Sequence, residues 1–263
     1  MQLQQMTGTL GTEISGVDLA DGKSETAEAI RRLAIENRVV VVRGQSLTDQ
    51  TQMDFSRRLG DLINTRGLAQ NSVFPELYIV KNPGKGGMPT NNWHTDATTS
   101  ARPPSLTILA ARVLPSSGGD TLFVDMVQAY ERLSPAYRRM LRGLRVHHIN
   151  RTFDPEKPFG HCHPIVRLIP ETGESALFSG FPYIAETIDG WTSEESKPVL
   201  DYLFAQSIKP DAVYRHRWLP GDVVIWDNRS TMHYAVHDYG EQDRFLARTM
   251  IEGEAPIEPI YAD

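Results

Sequence analysis

A single cysteine, Cys162, occurs in 263 residues. One thiol excludes any internal disulfide framework and suits a reducing cytoplasm. No apolar run approaches the roughly 20 residues that a membrane-crossing helix needs. The opening Met1-Gln2-Leu3-Gln4-Gln5 carries neither a charged n-region nor an apolar h-region, so export through a signal peptide is not expected. Basic blocks are also missing. With 27 Lys and Arg against 33 Asp and Glu, the net charge is −6, and the isoelectric point is near 5.8. That balance argues against nucleic acid or an anionic membrane as partner. Low-complexity linkers, internal repeats and composition breaks are absent too, so residues 1–263 read as a single domain. All-β units often reach this size.

What is present is a mostly extended pattern with a few helices. Residues 24–37 read as an amphipathic helix, Ser24 as its N-cap and Ala27, Ile30, Leu33 and Ala34 as its apolar stripe. Val39 to Val42 follow as a buried strand. Thr48 caps a second helix that reaches Leu59 and ends at Gly60. Strands are then expected at 77–80, 92–98, 105–114, 121–124, 144–150, 164–169 and 176–179. Asp125 and Ser134-Pro135 open short helices. Thr192 and Glu195 form a capping box ahead of a helix to Gln206, with Pro198 in its second turn. The pattern returns to strands at 212–218, 223–227, 231–235 and 244–252, with Pro220-Gly221-Asp222 as a tight turn. Many short strands with flanking helices predict a mainly β fold, a double-stranded β-helix or jelly roll.

Within that pattern Trp93-His94-Thr95-Asp96 stands out. On a strand, positions i and i+2 share a face, which sets an imidazole beside a carboxylate. A second, distant histidine would complete the two-histidine, one-carboxylate face of non-haem iron(II) oxygenases; His233 is the candidate. Other histidines compete less well. His161-Cys162-His163 offers soft ligands, but Cys162 alternates away from its neighbours on a strand, and zinc needs converging ligands. His233 and His237 at i, i+4 lack the glutamate of a His-Glu-x-x-His metalloprotease motif. His147 and His148 alternate faces as ordinary strand residues.

The residues around these positions carry a resemblance. Gly11-Thr12-Glu13-Ile14-Ser15-Gly16-Val17-Asp18, Val42-Arg43-Gly44-Gln45, Gly118-Gly119-Asp120-Thr121, His163-Pro164-Ile165-Val166-Arg167 and Trp226-Asp227-Asn228-Arg229 occur in the order of the taurine/2,4-dichlorophenoxyacetate dioxygenase family. Nearly the whole chain resembles that family. The resemblance implies a jelly-roll oxygenase that uses Fe(II), 2-oxoglutarate and O2. It implies His94, Asp96 and His233 as metal ligands. Thr121, 27 positions after His94, and Arg244, 11 after His233, correspond to the residues that hold the distal carboxylate of 2-oxoglutarate. Arg248 corresponds to an arginine near the prime substrate's anionic end. A guanidinium fork suits a carboxylate as lysine does not, and Arg244 and Arg248 would share a strand face about 13 Å apart.

The chain departs from the taurine enzyme where that enzyme grips its substrate. Thr65 and Leu68 stand in place of a histidine and a tyrosine. Thr90, beside Asn91 and Asn92, stands in place of an asparagine. Thr65, Asn92 and Arg248 are therefore the candidate substrate residues, and taurine itself is not the expected substrate. The 148–163 segment is short, which leaves either a more open pocket or one closed by the 82–91 loop as a candidate lid. Trp93 and Trp226 read as core aromatics, Asp227 and Asn228 as turn caps. The expected activity is oxidation, chiefly hydroxylation, of a C–H bond in a small anionic molecule, releasing succinate and CO2. Desaturation, a zinc hydrolase or a non-catalytic binding module remain open at this level, as does a homo-oligomer.

Overall fold

The computed structural model describes residues 1–64, 69–81, 92–151 and 156–261. Its first third holds β1 (Gln2–Gln5), β2 (Thr12–Ser15), α1 (Ser24–Asn37), β3 (Val39–Val42), α2 (Asp49–Leu59) and β4 (Tyr78–Lys81). The four valines of β3 are all buried, which happens when a strand is covered on both faces. Val40 and Val42 cluster with Ala27, Ile30 and Leu33 of α1 and Phe55 of α2. Val39 and Val41 belong to a second cluster with Leu109, Phe123, Tyr214 and Trp226. Helices thus cover one side of this strand and a second sheet covers the other.

The remaining elements are β5 (Leu106–Val113), β6 (Thr121–Asp125), α3 (Met126–Glu131), α4 (Pro135–Met140), β7 (Arg145–Asn150), β8 (Phe159–Pro164), β9 (Val166–Ile169), β10 (Glu174–Leu177), β11 (Ala185–Ile188), α5 (Ser193–Ser207), β12 (Val213–His216), β13 (Val223–Asp227), β14 (Thr231–Ala235) and β15 (Phe245–Met250). Seven strands form the large sheet in the order β1-β2-β3-β13-β5-β15-β4. Three-stranded sheets β12-β6-β14 and β11-β7-β8 and the β9–β10 hairpin complete the set. The large sheet and β12-β6-β14 enclose the cluster that contains Phe123, Tyr214, Trp218, Val224, Trp226 and Leu246. This is the jelly roll that the strand pattern predicts, with helices on its outer face.

Several local expectations need correction. The strand expected at 92–98 is reduced to one bridge, His94 with His233. Asp96 then enters a turn whose next residue, Ala97, has a φ of 50°. The backbone N–H of Asp96 is satisfied by the Asn228 side chain instead of a neighbouring strand, so extension has nothing to sustain it. Ser24 is not the cap of α1; Lys23 occupies that position without a side-chain bond. Asp21 holds this helix start instead, accepting from the Lys23 N–H and the Thr26 hydroxyl. The strand expected at 164–169 divides at Ile165 into β8 and β9. Thr48 and Thr192 cap their helices as expected, Thr192 in its expected box with Glu195 and Thr48 in a further box completed by Thr51, and Pro198 stays inside α5 without ending it. Among the described residues no helix is long and apolar enough to cross a membrane. Thr65, Leu68, Thr90, Asn91 and the 82–91 loop lie outside the described residues.

Candidate metal centre and its cavity

His233 sits in the middle of β14, paired to Phe123 of β6. His94 docks on the free side of the same strand, its N–H donating to the His233 carbonyl at 2.9 Å and its own carbonyl accepting from the His233 N–H at 2.8 Å. Two backbone bonds therefore tie together residues far apart in the chain, and they place the imidazole centroids 4.1 Å apart. Thr95 turns away, its hydroxyl donating to the Thr231 carbonyl. Asp96 comes back to the same side. Its Oδ1 lies 3.7 Å from His94 Nε2 and 3.9 Å from His233 Nε2.

The Asp96 backbone is held with unusual care by a single side chain. Asn228 Oδ1 accepts from the Asp96 N–H at 2.9 Å, while Nδ2 donates to the carbonyls of Asp96 and Pro104. Sequence reading made Asn228 a turn cap; its side chain instead brackets a candidate ligand. Thr107 donates to Asp96 Oδ2 at 3.1 Å and Arg248 Nη1 donates to Oδ1 at 3.0 Å. Burial pushes the Asp96 carboxyl up, but Arg248 and the two imidazoles outweigh it and hold the group at about 2.

The donor set suits a divalent metal. His94 Nδ1 faces the Asn92 carbonyl at 2.8 Å; a proton there leaves the Nε2 lone pair free. Burial lowers His94 and takes His233 to about 3, so both rings are neutral at neutral pH and able to ligate. His94, Asp96 and His233 form one of two clusters of metal-ligating side chains among the described residues.

Behind this face lies a cavity of about 290 Å³ lined by His94, Thr121, Trp226, His233, Arg244 and Arg248 among others. Arg244 and Arg248 do share it, as their spacing predicts. Arg244 is 4% exposed, and among the described residues it has no salt-bridge partner. Its Nε donates to the Gly119 carbonyl at 3.0 Å and its guanidinium lies over the Tyr239 ring. Burial pulls its pKa down, against the opposing pull of Tyr239 and Asp120. Gly119 explains the glycine pair before Thr121: at φ +73° a Cβ would stand 2.9 Å from Arg244 Nε. Thr121 Oγ accepts from the buried indole N–H of Trp218 at 3.0 Å.

Trp226 is a core aromatic, as expected, and also a cavity wall. Its ring stands 4.8 Å from that of His233, and its Nε1 is buried without a hydrogen-bond partner. Sequence reading missed Trp218, Thr107 and Phe181, whose ring meets His94 edge-on at 6.2 Å; no local motif marks them. His163 is structural, as expected, with Nε2 within 3.0 Å of the Thr98 and Ser100 carbonyls in the turn after Asp96.

Comparison with known proteins bears directly on this arrangement. The family model described as "Taurine catabolism dioxygenase TauD, TfdA family" matches residues 2–250. The "Alpha-ketoglutarate-dependent sulfate ester dioxygenase" of Pseudomonas putida is 34% identical, over 98% of this chain and 91% of its own length. The "Alkylsulfatase" of Acinetobacter baylyi is 32% identical, over 97% of this chain and 86% of its own. A crystal structure of a taurine dioxygenase from Burkholderia xenovorans superimposes with a TM-score of 0.88 at 33% identity, covering 98% of this chain and 93% of that one. The chain therefore belongs to the TauD/TfdA family and is an iron(II)- and 2-oxoglutarate-dependent dioxygenase that oxidises small organic molecules.

Proposed function

We propose that this dioxygenase acts on small organic anions of the sulfate-ester or sulfonate kind, with the following division of labour. His94, Asp96 and His233 hold Fe(II). Thr121 and Arg244 hold the distal carboxylate of 2-oxoglutarate. Arg248, with Asn92 and Thr65, faces the prime substrate, Thr65 lying outside the described residues. When bound, iron and 2-oxoglutarate would let O2 act as the oxidant, the keto acid giving up two electrons as it becomes succinate and CO2 and the substrate C–H the other two. Everything else is positioning, which is what the protein contributes in cofactor enzymes.

The observation that carries this reading is Arg244. A guanidinium buried beside three metal-ligating groups without a carboxylate of its own is costly unless an anion joins it. A dianionic keto acid fits: one end beside the metal donors, the other on the Arg244 fork and the Thr121 hydroxyl. Because Trp218 occupies a lone pair of that hydroxyl, its proton is free to point at the carboxylate. Arg248 is shared differently. Its Nη1 is spent on Asp96, while its buried Nε has no partner, so it balances the metal-ligating carboxylate and still offers a donor to an anionic substrate. The sulfate-ester names of two relatives support that substrate class. Hydroxylation of the carbon bearing the ester oxygen would let the product collapse to a carbonyl compound and sulfate.

The test is a panel of alkyl sulfates, sulfonates and aryloxy acids scored for substrate-dependent succinate and sulfate release. Sulfate esters turning over best supports the reading; turnover confined to uncharged molecules sinks the substrate class. Arg244→Ala should raise the KM for 2-oxoglutarate by about 10- to 100-fold, the worth of a charge-assisted pair of about 1.5–3 kcal/mol. An unchanged KM would remove Arg244 from that role. We further propose that residues 1–263 work as one domain in the cytoplasm, where the lone thiol of Cys162 stays reduced.

A further inference from the structure

We propose a second cation site, separate from the iron centre, made by His147, Cys162 and Asp189 on the outer face of the β11-β7-β8 sheet and suited to a thiophilic divalent ion of the zinc type. His147 and Cys162 are direct cross-strand partners in the β7–β8 register, so their side chains leave the sheet side by side. Asp189 follows β11 on the other flank of β7, its N–H donating to the Arg145 carbonyl at 2.8 Å. Its Oδ1 lies 3.0 Å from His147 Nε2. One donor atom from each of the three residues lies within 4.8 Å of the others.

The chemistry of this trio differs from that of the iron centre. It joins a sulfur, a nitrogen and an oxygen donor, whereas His94, Asp96 and His233 offer no sulfur. Thiolate and imidazole together select zinc-like ions over magnesium or calcium. A thiolate and a carboxylate bring two negative charges to match a divalent ion. In a tetrahedral zinc site the bond lengths of about 2.0–2.3 Å set donors about 3.3–3.8 Å apart. The present donors lie within 4.8 Å of one another, and His147 and Asp189, 37% and 60% exposed at their side chains, have room to rotate toward that range. The fourth position is left to water, the pattern of three-ligand zinc sites. Arg145 Nη2 donates to the Cys162 carbonyl at 2.7 Å, which fixes the cysteine backbone and places a positive charge nearby. That charge disfavours hard ions held only by electrostatics, so the metal–sulfur bond must carry the affinity. The inward-facing neighbours His148 and His163 point to the opposite side of the sheet and take no part.

Cobalt(II) reports the site without recourse to activity, because a cobalt–thiolate bond gives a near-ultraviolet charge-transfer band that nitrogen and oxygen ligands cannot. The expected result is such a band on titration of the full chain, kept in a His94→Ala/Asp96→Ala double variant and lost in Cys162→Ala. His147→Ala and Asp189→Asn should each weaken cobalt binding there at least about tenfold, as losing a ligand costs no less than losing a supporting residue. No band in the full chain would overturn the proposal. So would a band of unchanged strength in both His147→Ala and Asp189→Asn, which would mean a bare surface thiol. Should Cys162→Ala fail to fold, those two exposed-residue variants decide the matter alone.

Discussion

Trp218 directs the Thr121 hydroxyl by taking up its lone pair, and this small arrangement has a measurable value. Trp218→Phe keeps the ring but removes the donor. The KM for 2-oxoglutarate should rise about 3- to 10-fold, the worth of one neutral hydrogen bond of about 1 kcal/mol, while Fe(II) affinity stays put; anaerobic titration separates the two. Asn228→Ala should act in the opposite column. With the Asp96 backbone released, Fe(II) affinity should fall about 10- to 100-fold, the usual cost of losing a group that orients a metal ligand. Unchanged metal affinity at unchanged melting temperature would reduce Asn228 to a turn residue. The proposed ligands were legible in the sequence because coordination chemistry constrains their types and spacing, and the structure brings their donor atoms together. Trp218, Thr107 and Asn228 act through partners 97, 11 and 132 positions away, and no local pattern encodes such a partner.

Elements were legible where burial imposes a period. The apolar stripe of α1, the valines of β3 and the Thr192 box emerge in the structure at or within a residue of their expected positions. β1 was not legible, since Gln2–Gln5 is exposed throughout and shows no alternation. The 92–98 segment misled for another reason. Its alternation is real, but it serves one bridge and two proposed ligands and is then broken by the turn at Ala97. Pro198 invites a direct measurement at this scale. It lies exposed inside α5, where it removes a helical hydrogen bond yet contacts little. Pro198→Ala should raise stability by about 1–2 kcal/mol, the helix gain less the entropy returned to the unfolded chain, with turnover unaltered. A lower melting temperature would show that the ring packs against something the helix needs.

For the molecule as a whole, acid is the expected weakness. Burial holds His148 at about 3 and His163 at about 4, against an ordinary imidazole value of 6.5. Between those limits the unfolded chain binds protons that the folded chain refuses. Stability from these two rings is therefore complete above about pH 6.5 and lost as pH falls toward 4 and then 3, at up to about 1.4 kcal/mol per pH unit for each ring. Urea midpoints of the metal-free protein should fall steadily from pH 7 to pH 5. His94, His216 and His233 are lowered by burial in the same way and add to the slope, so His148→Phe should flatten it by about a fifth, and an unaltered slope would discount the buried ring.

The His94–His233 bridge and the placing of Arg244 and Arg248 at β15, after every other strand of the site, bear on the order in which the site is assembled. A nascent polypeptide still short of Arg248 already holds α1, α2 and β3, yet it lacks the strand proposed to seat the keto acid. An emerging chain is therefore without its proposed anion-holding groups until β15 has left the ribosome.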